Sequence, residues 1–293
     1  MNWVRIIRNS LMGACLATLL LGCSATRLAY NNAQELTWWW LTDYLEFSSA
    51  QRPAMRQALA QVHGWHRRQQ LPGYADMLER WQGLMPGALS AAQVCGLIDE
   101  VVDKLQDLSA AVDAPEPAAL QVLASLAPAQ LAELERRLAK SNREYREKYL
   151  ELTPKALAAE RLKQGLSRAE TLYGRLHEEQ KRALQDALAR SPWDVQASYE
   201  RRLRRQQALL QSLRALQGAS PDLVRARMKD WVGLGIEGAD AADREASRAF
   251  RRAACPVLAD LHNSTTTAQR ARAVETLQRY AADLRALAQA AAQ

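Results

Sequence analysis

Alternating runs of β-branched residues bounded by hairpin turns are missing from this chain of 293 residues, which excludes a sheet as its main element. Beyond the N-terminal two dozen residues there is no apolar stretch near the roughly 20 residues that a membrane-spanning helix needs. No nucleophile elbow or other reaction signature occurs, and the acidic residues mostly stand beside arginines as ordinary surface pairs do. Nothing therefore points to an enzyme, and no cofactor, metal or small-molecule substrate is identified. Histidine and cysteine are scarce, at four each. His63 and His66 stand three apart with no carboxylate or cysteine cluster to complete four metal ligands. His177-Glu178 begins like H-E-x-x-H, but Lys181 occupies the second ligand position. Gly233-Leu234-Gly235-Ile236-Glu237-Gly238 spells G-x-G-x-x-G without the preceding strand that a dinucleotide site requires. Those glycines are expected instead to let the chain leave one helix with positive φ and turn toward the next.

What is present begins with Arg5 and Arg8, no acid in the first ten residues, and an apolar run from Leu11 to Gly22 of about a dozen residues, the layout of an export signal. Leu20-Leu21-Gly22-Cys23 resembles the lipobox of bacterial lipoproteins. The resemblance implies removal of residues 1–22, diacylation of Cys23 and attachment to a membrane; a plain secretory signal with a coincidental cysteine is the alternative. Cys23 is then an anchor, since several acyl chains, at about 0.8 kcal/mol per buried CH₂, hold a protein stably. Ser24 is not the Asp that typically retains lipoproteins in the inner membrane, so the resemblance also implies sorting to the outer membrane, facing the periplasm.

Losing Arg5 and Arg8 lowers the formal net charge of +7 by two. Nucleic acid needs a concentrated basic face, and export removes the chain from it, so a nucleic-acid partner is not expected. Processing leaves Cys95 and Cys255. In an oxidising compartment they are expected to form one disulfide, with two buried thiols as the alternative.

Ala, Leu, Arg, Gln and Glu dominate the remainder, all residues compatible with helix. Val94, Leu97, Val101, Leu105, Leu108 and Val112 fall on one helical face. Leu131, Leu134, Leu138, Tyr145 and Tyr149 keep that rhythm, as do Val274, Leu277, Ala281, Leu284, Ala288 and Ala291. Thr153-Pro154, Ser191-Pro192 and Ser220-Pro221 read as helix starts, with a hydroxyl cap and proline in the first turn. The pattern predicts helices over 26–46, 52–69, 72–84, 91–112, 128–151, 154–173, 178–189, 192–217, 221–235, 240–262 and 267–290, with 113–117 as a connector. The expected fold is all-α, an elongated multi-helix bundle of antiparallel amphipathic helices. Its organisation is a signal (1–22), a lipidated tether (23–33) and a single periplasmic domain (34–293).

A short motif recurs. Leu89 to Gln93, Leu126 to Gln130 and Leu176 to Gln180 share L-x-x-x-Q, with looser copies at Phe47 to Gln51 and Thr265 to Gln269. Where the second residue is Ser or Thr, the Gln can complete a capping box. Around Gln51, Pro53 argues for a helix that starts no earlier than Arg52. Trp38, Trp39 and Trp40 lie close to Cys23 and suit a membrane interface, but three consecutive positions fan over about 200° of a helix, and at least two rings are expected in the core. Arg201, Arg202, Arg204 and Arg205 form the densest basic run, read chiefly as a solvated helix face and otherwise as a contact for an envelope polymer.

Leu28 to Asn32, including Tyr30 and Asn31, then Trp39-Trp40-Leu41, Asp43-Tyr44-Leu45 and Ser48 to Arg52, resemble the N-terminal signature of an uncharacterised proteobacterial lipoprotein family. Leu261 to Thr266 with Gln269-Arg270 extends that resemblance to the C-terminal end, and it implies location and fold but no reaction. The Gln motif is similar to L-T-x-x-Q of Spy-like and CpxP-like periplasmic chaperones, which implies capture of unfolded clients without ATP. The leading expectation is thus a non-enzymatic envelope protein that binds a client or assembly partner. A tether to cell-wall or lipopolysaccharide comes next, and then an enzyme built on Asp43, Glu46, His63 and His66.

Overall fold

The computed structural model describes residues 25–236, 238 and 240–290; the export signal and Cys23 lie outside the described residues. Every regular element described is helical, and none is long and apolar enough to cross a membrane. In chain order they are α1 (Ala25–Asn31), α2 (Ala33–Leu45), α3 (Arg52–Trp65), α4 (Leu71–Leu84), α5 (Ala91–Gln106), α6 (Pro117–Ala124), α7 (Pro128–Tyr145), α8 (Pro154–Tyr173), α9 (Glu178–Ala189), α10 (Val195–Ala215), α11 (Pro221–Ile236), α12 (Ala241–Asn263) and α13 (Thr267–Gln289). The all-α multi-helix bundle read from the sequence is what the chain forms.

Two cores hold it. One lies between α4, α5, α8, α12 and α13 around Val94, Leu176, Cys255, Ala259, Ala273 and Leu277. The other joins α2, α3, α6, α7 and α10 around Phe47, Leu126, Leu131, Leu134 and Leu213, with a satellite between α6 and α11 around Leu120 and Val224. A π-helical turn, His66–Gln70, carries α3 of the second core into α4 of the first. Pro72 cannot donate to the carbonyl four residues back, and the wider turn just before it absorbs the break.

Several boundaries differ from the sequence reading. The expected helix over 91–112 ends at Gln106 and tightens into a 3₁₀ segment, Asp107–Asp113. Residues 117–124, given no element from the pattern, form α6. Ala119, Leu120, Val122 and Ala124 are all buried, so this short helix has too little polar surface to show an amphipathic rhythm. Ser191-Pro192 opens no helix: α10 starts at Val195, where Asp194 accepts from the Ala197 N–H. Thr153 caps α8 as expected, and α3 begins at Arg52. Of the three glycines near the end of α11, Gly233 and Gly235 lie inside the helix, and only Gly238 takes positive φ, at 115°.

The segment 23–33, expected as a tether, is helical from Ala25 and belongs to the body. Arg27 pairs at 3.1 Å with Asp283 of α13, and the Tyr30 ring stacks on His63 at 4.9 Å between centroids. First and last helices are thereby tied together.

The recurrent Gln motif explains how the helix starts dock. In each copy the Gln Oε1 accepts from the backbone N–H three residues earlier, at Ser48, Ser90, Ala127, His177 and Thr266. The residue before that cap is buried every time: Phe47, Leu89, Leu126, Leu176 and Thr265. Four copies then meet in pairs. Gln180 Nε2 donates to Gln269 Oε1 at 2.9 Å and to the Ser264 carbonyl at 2.9 Å; Gln269 Nε2 returns bonds to Gln180 Oε1 and the Arg175 carbonyl, both at 3.0 Å. Gln51 and Gln130 repeat the exchange, reaching the carbonyls of Ser125 and of Leu45 and Glu46. Every donor and lone pair of these paired carboxamides is used, which makes Gln the only side chain of this length that completes the clasp. Gln93 closes its own box on an exposed helix start, and there Asn263 grips the Leu89 backbone instead.

Candidate functional site

Small residues at facing positions prevent the first core from closing completely. Gly165 and Ala169 on α8, Ala187 on α9, and Ala253 and Ala254 on α12 face each other where larger side chains would interlock. An apolar pocket of about 690 Å³ remains between α5, α8, α9 and α12, a size typical of ligand sites, which run roughly 300–1,000 Å³. Gly165 lets α9 approach α8 closely on one side, because a Cβ there would stand 3.3 Å from Leu188 Cδ1. The stripe Val94, Leu97 and Val101 on α5, which reads in sequence as a buried seam, is the pocket's opposite wall. Its outer end is open, and Val101 of the stripe is exposed with Phe250 and Leu258 of α12 beside it.

The floor is polar at one point. His262 Nε2 lies 2.8 Å from the Gly87 carbonyl, which can only accept, so this nitrogen carries the proton. Nδ1 therefore accepts from the Tyr173 hydroxyl at 2.9 Å. Burial pushes the Tyr173 phenol up to about 12 and lowers the His262 imidazole below its usual 6.5. Both are neutral at physiological pH, and both spend their hydrogen bonds on each other and the backbone. They seal the floor and leave no group poised for proton transfer.

Cys95 of α5 and Cys255 of α12 are joined by a disulfide that staples two walls together. Of the open alternatives for these cysteines, the bridge is the one that the chain adopts. At the other rim, Arg168 is one turn beyond Gly165 on α8 and Arg190 is two residues beyond Leu188. Both arginines are exposed, neither has an ion pair or hydrogen bond to another side chain among the described residues, and no Asp or Glu lines the pocket.

The sequence shows the Val94, Leu97 and Val101 stripe, Ser191-Pro192, the Leu261–Thr266 stretch and the two cysteines without joining them into a site, and the residues read as candidates for interaction or chemistry lie elsewhere. Tyr30 bonds to His66 Nδ1 at 2.7 Å and lies under Arg67, whose guanidinium also holds Asn31. Burial raises the Tyr30 phenol to about 12 and lowers His63 and His66. Asp43 pairs with Arg137 at 2.8 Å, and Glu46, the left-handed residue ending α2, borders the same shallow hollow by Trp38 and Arg52. The four groups considered for an enzyme thus separate into an imidazole–phenol stack and a carboxylate pair without a common pocket. Among the described residues no cluster of three or more His, Cys, Asp or Glu is placed to hold a metal ion.

The tryptophans depart from expectation. Only Trp38 is buried, stacked 5.9 Å from Phe47, whereas Trp39 and Trp40 are 79% and 57% exposed. Trp40 leans on Tyr44, 4.7 Å between ring centroids. Adjacent positions lie about 100° apart on a helix, and α2 packs only the Trp38 position inward while the other two face outward. The arginine run on α10 is not simply solvated either. Arg202 donates to Asn142 and Ser141, each at 2.8 Å, Arg204 reaches Asp243, and Arg201 bonds to Ser198. Arg205 approaches the Gly235 carbonyl at 3.5 Å. These cations chiefly bind α10 to its neighbours.

No curated protein and no solved structure matches the chain. A family match spans residues 43–231, described as a family of unknown function, DUF6279. It includes Asp43-Tyr44-Leu45 and Ser48 to Arg52 of the N-terminal signature and most of the pocket walls, while Tyr30, Trp39-Trp40 and the stretch from Leu261 to Arg270 fall outside it. Covering more than half of the sequence, the match makes this all-helical chain a member of the DUF6279 family.

Proposed function

We propose that the chain is a non-enzymatic, lipid-anchored protein of the cell envelope whose working site is the apolar pocket. The unfilled 690 Å³ space, walled by four helices and open at Val101, Phe250 and Leu258, carries this reading. Water is a poor occupant for a surface that is mostly hydrocarbon, and an apolar ligand recovers about 25 cal/mol for each Å² that it covers. The disulfide and the His262–Tyr173 bond tie the walls together, a construction suited to a ligand of defined cross-section. Chaperone-like capture of unfolded clients has less support: four of the five Gln motifs are turned inward onto each other. A tether to envelope polymer is weakened by the internal duties of Arg202 and Arg204.

The anchoring half of the proposal rests on the export layout ending at Cys23 and on the face that follows. Leu36, Trp39 and Trp40 lie on one exposed side of α2, with Leu28 exposed on α1. Indole rings favour the headgroup level of a bilayer, so this face fits a body resting on the inner leaflet of the outer membrane. Metabolic labelling with an alkyne palmitate analogue is expected to mark the wild type and not Cys23→Ala; an unlabelled, soluble wild type refutes the anchor. For the pocket, the uncharged dye N-phenyl-1-naphthylamine is expected to brighten on addition of protein and to stay dim with Ala254→Trp, which fills the space. Equal brightening by the two, with equal melting temperatures, refutes the pocket as the site.

A further inference from the structure

We infer that the pocket takes a single-chain anionic amphiphile, its acyl chain in the apolar body and its acidic head at Arg168 and Arg190. The inference rests on the binding reading above and adds the ligand's charge and form.

The charge follows from the rim. Among the described residues two arginines border the pocket and no acid does, and neither arginine is held by a carboxylate or a carbonyl. Arg168 follows Gly165 by three residues on α8 and Arg190 follows Leu188 by two, so both cations border the pocket near the close α8–α9 contact, where an acidic head group would find them. Guanidinium presents a planar fork of donors that matches carboxylate or phosphate oxygens, and such charge-assisted bonds are about twice as strong as neutral ones.

The form follows from shape and from the floor. Ala169, Ala187, Ala253 and Ala254 leave a smooth channel, and Tyr173 and His262, bonded to each other, offer no free donor at its end. A polar tail would reach this floor unpaired and lose its hydration, whereas a methyl terminus loses nothing. A pocket of about 690 Å³ has room for one long chain with its neck and lacks room for a two-chain phospholipid body.

The test uses the whole chain with Cys23→Ala, purified without detergent, and cis-parinaric acid as the fluorescent probe. Palmitate, palmitoyl-lysophosphatidylglycerol and the uncharged monopalmitoylglycerol compete in separate arms. The expected result is displacement by at least one anionic competitor about tenfold better than by monopalmitoylglycerol, with that preference lost in Arg168→Glu/Arg190→Glu. Whichever of the two anionic arms is stronger assigns the head as carboxylate or phosphodiester. Equal displacement by charged and uncharged chains, unchanged in the double variant, overturns the head-group assignment and leaves the pocket reading intact. Absence of probe binding, or binding that survives both Ala254→Trp and Ala187→Phe at unchanged melting temperature, overturns the inference and the pocket reading together.

Discussion

Replacing Gln180 by Glu changes one NH₂ group into one oxygen, and the geometry says what that costs. Gln180 is 4% exposed and donates two bonds, to Gln269 Oε1 and the Ser264 carbonyl. In Gln180→Glu both are lost, an oxygen faces Gln269 Oε1, and the carbonyl is left without its partner. Each lost bond is worth about 1 kcal/mol net and a stranded buried acceptor about 1–3 kcal/mol, so a loss of roughly 3 kcal/mol is expected at neutral pH. Gln93→Glu is the internal control. It alters the same motif position, but Gln93 is exposed and only accepts from Ser90, and Glu is welcome in a capping box at a helix start. Its cost is expected within about 0.5 kcal/mol. Urea unfolding followed by circular dichroism at 222 nm compares the two. Acid supplies a second signature: the buried carboxyl that Gln180→Glu introduces is raised above its unfolded pKa of about 4.3, so its neutral, donating form dominates at low pH. The deficit of Gln180→Glu against wild type should then shrink as pH falls toward 4 and grow as pH rises. Equal stability of Gln180→Glu and Gln93→Glu at neutral pH would refute the paired-clasp argument.

The disulfide closes a loop of 160 residues, for which chain entropy gives about 5 kcal/mol; Cys95→Ala/Cys255→Ala should lower the unfolding free energy read from urea curves by a large part of that, and wild type in dithiothreitol should match it. His63, His66 and His262 are all held below 6.5 by burial, so the unfolded chain takes up protons first: stability is level above about pH 6.5 and falls as pH drops below it, and a melting temperature that rises from pH 7 to 5.5 would contradict this. Gly238→Ala places a Cβ 2.6 Å from Asp243 Cβ at a φ of 115°, and at least about 1 kcal/mol of destabilisation is expected, read from the same unfolding curves.

The helices were legible because each keeps a polar face over many residues, and where that condition fails the reading fails too. Nearly all of α6 is apolar, so periodicity has nothing to contrast. At Ser191-Pro192 the local signal was sound chemistry, but Asp194 offers a carboxylate cap three residues later and α10 starts there. The Gln motif was visible as a capping box. What four copies do beyond that, pairing across 79 or 89 positions of sequence, is a tertiary arrangement that no single copy encodes.

The pocket was hidden for a related reason. An apolar stripe such as Val94, Leu97 and Val101 reads the same whether the facing helix offers leucines or alanines, since periodicity reports one partner of a contact and never the volume of the other. The partner's own sequence held the missing half: Gly165, Ala169, Ala187, Ala253 and Ala254 are helix-compatible small residues, and each alone looks like propensity. Only when α8, α9 and α12 face α5 do their deletions of volume coincide. Interiors close to crystal density do not carry such coincidences freely, because void lining forfeits its dispersion contacts. Beside that space a disulfide clamps α5 to α12, 5.2 Å between Cα atoms, and an internal His–Tyr bond closes one end, so the walls are held in fixed positions around a volume that their own side chains leave unfilled, and that combination is the strongest physical reason to regard the space as a site that a ligand fills.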